Sequence, residues 1–205
     1  MSKTSPILYS PAMVRALIDG FKTQTRRFVT SPLAKAEIGD ILYVRECFRA
    51  PKFLDHIAPR NFSSEIPLYF EADVYDKEFR QSLGRLRPAM HMPQIFSRVC
   101  LTVTDKRFER VTDITTDDAK AEGLRPISKD GESFQYGIPD FDGYPGTDNI
   151  GWAWPEWNED PRQAFAYLWD TLHGNNKDEA WADNPEIVAL TFTPHFQNFA
   201  QRKAA

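Results

Sequence analysis

Fifteen prolines are spread along this chain of 205 residues, and between them no apolar run is long. Proline fixes φ and removes a backbone donor, so it ends helices and confines strands to edges and bulges. The chain therefore reads as short strands interrupted by a few capped helices, an α+β fold with a mixed or barrel-like sheet. Fifteen Phe, seven Tyr and five Trp supply aromatic plugs for many loops. At this length one domain, residues 1–205, with insertions is the expectation. A fold of this size buries roughly 70% of the surface its unfolded chain exposes and needs no covalent staples. Cys47 and Cys100 lie inside apolar runs and read as buried free thiols, which suits a reducing, cytoplasmic setting. No segment resembles a signal peptide, and no apolar stretch approaches the ~20 residues of a membrane span. A formal charge of -4 argues against broad binding to a nucleic-acid backbone, but not against one nucleotide held in a pocket.

Ile7-Leu8-Tyr9 reads as a short strand. Ser10-Pro11 then supplies an N-cap and a first-turn proline for a helix carrying Met13, Ala16 and Leu17 on one face and ending at Gly20. The basic segment Lys22 to Arg27 leaves the end of that helix, where cations are favoured. Gly39-Asp40 is a turn before a strand over Ile41 to Phe48. Residues 50–67 read as loop, Leu68-Tyr69-Phe70 as a short strand, and 76–94 as irregular. A strand is expected over Phe96 to Thr104, continuing after a bend at Phe108 to Val111. Ile114 to Ala119 starts a capped helix that Gly123 closes. Residues 125–157 are rich in Gly, Pro and aromatics and read as a functional or covering loop. Asp160-Pro161 opens the last helix, with Phe165, Leu168, Trp169 and Leu172 on one stripe, Gly174 at its end, and a strand over Glu186 to Thr193 following.

Chemistry concentrates at Lys22-Thr23-Gln24-Thr25-Arg26-Arg27. Lys22 and Thr25 share a face if the helix runs on or the chain bends, but not on a flat strand. A threonine hydroxyl is a poor nucleophile until a base takes its proton. Lysine is such a base only when neutral, which from a reference pKa near 10.4 costs about 4.6 kcal/mol at pH 7 unless burial lowers it. The base reading therefore requires a desolvated Lys22; a solvated basic face is the alternative. Glu122 falls in the last turn of its expected helix, against the macrodipole, at a cost of roughly 0.3–1 kcal/mol. Lys22 or Arg26 would offset that cost, whereas an exposed Glu122 needs no partner.

The run Ile7 to Gly20 followed by Lys22-Thr23-Gln24-Thr25-Arg26 resembles the opening of the ASCH domain family, whose fold is a PUA-like mixed β-barrel with flanking helices. The likeness continues through Gly39 to Glu46 and through Val111 to Ile114 and Ala119 to Gly123. The Phe165-to-Leu172 helix and Glu186-to-Phe192 strand look like the longer phage- and bacterium-associated members. Parts of 50–90 and 125–157 fall outside the likeness and read as insertions. Some compact members are N(4)-acetylcytidine amidohydrolases, about half the length of this chain. The resemblance implies Thr25 as nucleophile, Lys22 as its activating group and Glu122 as proton shuttle or partner of Lys22. It assigns Arg26, Tyr9, Ser10 and Glu46 to substrate binding. The expected substrate is an N(4)-acylated cytidine or related nucleoside. The alternatives are a non-catalytic RNA-binding module, with RNA as partner, or a small ribonuclease.

No cofactor or metal is expected: His56, His91, His173 and His195 are scattered, and the cysteines form no ligand pair at zinc spacing. Trp152, Trp154 and Trp157 with Tyr136, Phe141 and Tyr144 stack a base, form a lid, or cap an open barrel end. Arg85, Arg87 and His91 contact a phosphate or pair with surface acids. Trp169 reads as core.

Overall fold

Alternation of side chains and turn chemistry set the secondary structure of the computed structural model, which describes residues 2–74, 76–146 and 151–197. Among the described residues nine strands are named in chain order: β1 (Thr4–Leu8), β2 (Gln24–Phe28), β3 (Ile41–Arg45), β4 (Phe48–Arg49), β5 (Tyr69–Phe70), β6 (Cys100–Arg110), β7 (Arg125–Ser128), β8 (Phe134–Gly137) and β9 (Glu186–His195). The α-helices are α1 (Pro11–Ile18), α2 (Lys77–Ser82), α3 (Thr116–Ala121) and α4 (Pro161–His173). Five strands hydrogen-bond in the order β1-β3-β6-β9-β2, while β4-β5 and β7-β8 are separate pairs. The fold is thus α+β with a mixed sheet. The expected barrel is not closed among the described residues: β1 and β2 end the sheet order instead of pairing with each other.

The chain divides into two compact units. Among the described residues one comprises 2–15, 39–74, 76–102 and 194–197. There β1 runs parallel to β3, with Ile7 opposite Val44, and β3 runs antiparallel to the start of β6, with Leu42 opposite Leu101. All four of those side chains are buried. Ser10 caps α1 by accepting from the Met13 N–H at 3.3 Å, a contact worth about 1 kcal/mol. The expected strand over Ile41 to Phe48 breaks at Glu46-Cys47, where Glu46 turns inward to an ion pair. A cluster of Phe48, Ala50, Leu54, Phe62, Met92 and Phe96 fills this unit. Within 76–94, expected to be irregular, Asp76 caps α2 by accepting from Phe79 N at 2.6 Å. Phe96 lies in a 3-10 turn, not in β6, because Pro93 precedes it. Arg87 is buried and donates to the carbonyls of Leu54 and Ile57, so its role there is to tie loops together.

Among the described residues the other unit comprises 16–38, 103–146 and 151–193. Here β2 pairs antiparallel with β9, Thr25 opposite Leu190, and α3 packs against both α4 and β2. Residues 103–110 continue β6 without the expected bend. Thr115 caps α3 through the Asp118 N–H at 3.1 Å, and Asp160 caps α4 through Arg162 N at 2.9 Å. The buried stripe of α4 is Pro161, Ala164, Phe165 and Trp169; burying a side chain such as Phe165 is worth about 1.5–3 kcal/mol. Leu172, expected on that stripe, is 63% exposed. His173 takes the packed position instead, its ring 4.8 Å from Phe28 and 4.6 Å from Trp169.

Residues 125–157, expected to be loop, begin with the β7-β8 hairpin, Ile127 opposite Gln135. Residues 147–150 of that segment lie outside the described residues. Trp152 and Trp157 are buried and joined by an indole N–H to carbonyl bond of 3.1 Å. A methyl at Gly137 would come within 2.4 Å of the Trp157 ring, so glycine there is a packing requirement. Cys47 and Cys100 are not joined in a disulfide; Cys100 is buried and Cys47 partly so. Among the described residues no helix is long and apolar enough to cross a membrane.

Candidate functional site

Lys22 follows the turn that ends α1. The N–H groups of Phe21 and Lys22 both donate to the Ala16 carbonyl at 2.9 Å, and Gly20 supplies the left-handed φ of +81°. Lys22 then forms an antiparallel bridge with Glu122, so two residues 100 positions apart lie side by side. Gly123 is required at the end of α3: its φ is +105°, and a methyl there would sit 3.0 Å from Ala16 Cβ and 3.3 Å from Lys22 Cβ.

At this junction Lys22 is only 2% exposed. Its Nζ donates to Glu122 Oε2 at 3.1 Å and to the Glu122 carbonyl at 2.7 Å. The other oxygen, Oε1, accepts from Arg26 Nη1 at 3.0 Å. Glu122 caps the C-terminal end of α3, where a carboxylate opposes the helix dipole, and two cations offset the opposition. The same ammonium satisfies a carbonyl that the helix end leaves without an internal partner.

Arg26 extends the cluster. Its Nε and Nη2 reach Glu109 Oε1 at 3.1 and 2.8 Å, Nη2 reaches Asp118 Oδ2 at 3.2 Å, and Nη1 reaches Gln24 Oε1 at 3.3 Å. Asp118 also accepts from Gln24 Nε2 at 2.7 Å and Arg107 Nη2 at 2.9 Å. Three cations (Lys22, Arg26, Arg107) thus meet three carboxylates (Glu109, Asp118, Glu122). Of these, Lys22, Arg26 and Glu122 are buried, and charges removed from water persist only when paired and hydrogen-bonded.

Burial lowers the Lys22 ammonium below the ordinary lysine range, and the Arg27 and Arg26 charges push the same way against Glu122. Burial alone would raise the Glu122 carboxyl, but Lys22 and Arg26 outweigh it and hold Glu122 below the usual carboxylate range. Asp118 is likewise held low; Gln24 and Arg107 overcome its partial desolvation.

Thr25 is fully buried within β2. Its Oγ1 accepts from Arg27 Nη1 at 2.8 Å, and Arg27 Nη1 also donates to the Arg26 carbonyl at 2.8 Å. The two-residue strand period puts Gln24 and Arg26 on the face toward α3, and Thr25 with Arg27 on the alternate positions. Sequence reasoning does not single out Arg27 as a site residue. Its strand spacing from Thr25 is the available signal, hidden because Gln24 to Phe28 lacks the apolar alternation that marks a strand.

Of the remaining expected site residues, Tyr9, Ser10 and Glu46 belong to the other unit. Tyr9 is buried, and its N–H donates to the Arg45 carbonyl at 3.1 Å. Ser10 is exposed and acts as the helix cap described above. Glu46 is 1% exposed and holds Arg98 through two bonds, Oε1 to Nε at 2.8 Å and Oε2 to Nη2 at 2.9 Å. Arg98 also grips Asp73 and lies 4.2 Å from the Phe70 ring centre. Burial pushes the Glu46 carboxyl up despite Arg98. Among the described residues no group of three or more His, Cys, Asp and Glu side chains is arranged to hold a metal ion. No family model, curated protein or solved structure matches this chain.

Proposed function

We propose that this chain is an ASCH-type, PUA-like amidohydrolase that removes the acyl group from an N(4)-acylated cytidine or related nucleoside without a metal. The observation that carries the reading is Lys22: a lysine 2% exposed, its pKa lowered by burial and its ammonium bound to Glu122. A solvated basic face would leave Lys22 in water. Desolvation moves the amine in the direction that a lysine base requires.

The reaction then follows with each proton assigned. In this structure the Lys22 amine is bonded to Glu122 while Thr25 Oγ1 is bonded to Arg27, so the reaction requires Lys22 to reach Oγ1 when substrate binds. Neutral Lys22 then takes the hydroxyl proton as Oγ1 bonds to the acyl carbon, and the carbonyl π pair moves to oxygen. The Arg27 guanidinium, already donating to Oγ1, favours the developing negative charge. Collapse of the tetrahedral species breaks the bond to the exocyclic nitrogen, which takes its proton from Lys22. Water attacks the resulting threonyl ester, gives a proton to Lys22 and releases the carboxylic acid, while Thr25 recovers its proton. Glu122 acts here as the anionic partner that holds and tunes Lys22, since a carboxyl held this low is a poor proton donor. Every guanidinium nitrogen of Arg26 is bonded within the ion cluster, which gives it the task of fixing Glu122.

The test is hydrolysis of N(4)-acetylcytidine followed by ultraviolet absorbance. Wild type and Thr25→Ser should turn over, the latter more slowly, and Thr25→Val should lose at least about 10³-fold with unchanged circular dichroism. Equal rates in wild type and Thr25→Val would remove the nucleophile. Absence of turnover by well-folded wild type on acetyl, propionyl and benzoyl cytidines would end the proposal.

A further inference from the structure

The hairpin that replaces the expected loop builds a second recess. Phe21, Ala121, Leu124, Pro126, Phe134 and Tyr136 line a cavity of about 380 Å³, within the size range of pockets for small ligands. Leu124 is buried beneath it, while the Phe134 ring is 45% exposed and Phe21 and Tyr136 are partly so. Three aromatic rings left partly in water around one recess are an unusual use of apolar surface.

Cations edge the recess. Lys120 Nζ stands 5.5 Å from the Tyr136 ring centre, and the Arg125 guanidinium stands 5.3 Å from that of Phe21. Their carboxylate partners are loose and exposed: Asp117 at 3.6 Å from Lys120, and Asp19 at 3.4 Å from Arg125. Such pairs are worth little in water and yield readily to a competing anion. The walls are held in place by the hairpin ladder and by Tyr136, whose N–H and C=O bond to Asn158 at 2.8 and 3.1 Å.

We infer that this recess is a binding site for a planar aromatic ring carrying an anionic group, the ring stacked among Phe21, Phe134 and Tyr136 and the anion met by Lys120 and Arg125. Stacking on aromatic side chains tolerates any flat ring, and the two cations select for negative charge. A nucleoside monophosphate and an aromatic carboxylate share this chemistry. The recess adjoins the Lys22–Glu122 pair, since Phe21 and Ala121 directly precede Lys22 and Glu122 along the chain, but none of its lining residues belongs to the proposed catalytic set.

Isothermal titration of the full chain with adenosine 5′-monophosphate, adenosine, indole-3-carboxylate and inorganic phosphate tests the inference. The expected result is saturable 1:1 binding of the nucleotide or of the indole carboxylate; whichever binds tighter identifies the source of the anion. Adenosine should bind at least about fivefold more weakly than the nucleotide, and phosphate should not saturate. Lys120→Gln should weaken the anionic ligands at least about fivefold and leave adenosine unchanged. Phe134→Ala, a change at an exposed ring, should weaken all three ring compounds, with Tyr136→Ala repeating the effect. Lys120→Gln and Phe134→Ala should leave N(4)-acetylcytidine turnover at the wild-type rate, which separates this site from the proposed catalytic one. No saturation by either anionic ring compound up to about 5 mM would overturn the inference. So would affinities indifferent to both Lys120→Gln and Phe134→Ala.

Discussion

Replacing Glu122 by glutamine keeps the shape of the side chain but removes the anion between two buried cations. Both carboxylate oxygens are engaged, Oε2 by Lys22 at 3.1 Å and Oε1 by Arg26 at 3.0 Å, and the side chain is only 5% exposed. The amide introduced by Glu122→Gln carries no charge, so Lys22 loses its carboxylate partner while Arg26 keeps Glu109 and Asp118. Breaking one side of a buried ion pair costs about 3–5 kcal/mol. The loss depends on pH in a definite direction. Glu122 raises the Lys22 pKa against burial, so its removal lets that pKa fall further. A lysine whose folded pKa lies below its unfolded value near 10.4 leaves the unfolded chain holding more protons between the two values. Stability therefore rises with pH across that window, and the penalty is largest below it. Urea unfolding followed by tryptophan fluorescence near pH 6 and pH 9 measures this. With a slope of about 3 kcal/mol per molar, the midpoint near pH 6 should drop by roughly 1–1.7 M, and by less near pH 9. A drop under about 0.3 M at both pH values would mean that water screens the pair, and the argument for a desolvated Lys22 would fail with it.

Other consequences follow from neighbouring geometry. Gly123→Ala must adopt φ +105° and press a methyl within 3.0 Å of Ala16 Cβ and 3.3 Å of Lys22 Cβ; a loss of about 1–3 kcal/mol in thermal unfolding is expected. Arg98→Met strips Glu46 of its two bonds; since Arg98 is 29% exposed, about 2–3 kcal/mol is expected. A carboxyl raised in the folded state costs stability as pH climbs above its unfolded value near 4.3, so this deficit should shrink on acidification toward pH 4. Gly137→Ala should destabilise by about 1–3 kcal/mol through overlap with the Trp157 ring 2.4 Å away, visible as a lower melting temperature.

Capping and glycine chemistry are legible in the sequence alone. Ser10-Pro11, Thr115 and Asp160-Pro161 each open the helix their residue types announce. Gly20, Gly39 and Gly123 all take positive φ at the turns where the sequence puts them. Elements whose exposed faces are charged are harder to read. β2 reads Gln-Thr-Arg-Arg-Phe, and its buried positions are polar because they serve an ion cluster, so no apolar alternation marks it. α2 carries no buried side chain and therefore no apolar period. The β7-β8 hairpin does carry a signal, Asp130-Gly131, with Gly131 at φ +81°; the density of Pro and aromatics around it points to a loop instead.

Local sequence determined where helices start and where turns fall, while Lys22, Thr25 and Glu122 were singled out by residue type and by a family resemblance. Tertiary structure decided the direction in which the Lys22 pKa moves and the company it keeps. A pKa depends on desolvation and on charges that arrive from distant positions, here Glu122 from α3. Neither is encoded in the spacing of a six-residue segment. For the same reason Arg26 and Arg27, adjacent and chemically alike, part company: strand alternation sends one into the carboxylate cluster and leaves the other on the threonine hydroxyl.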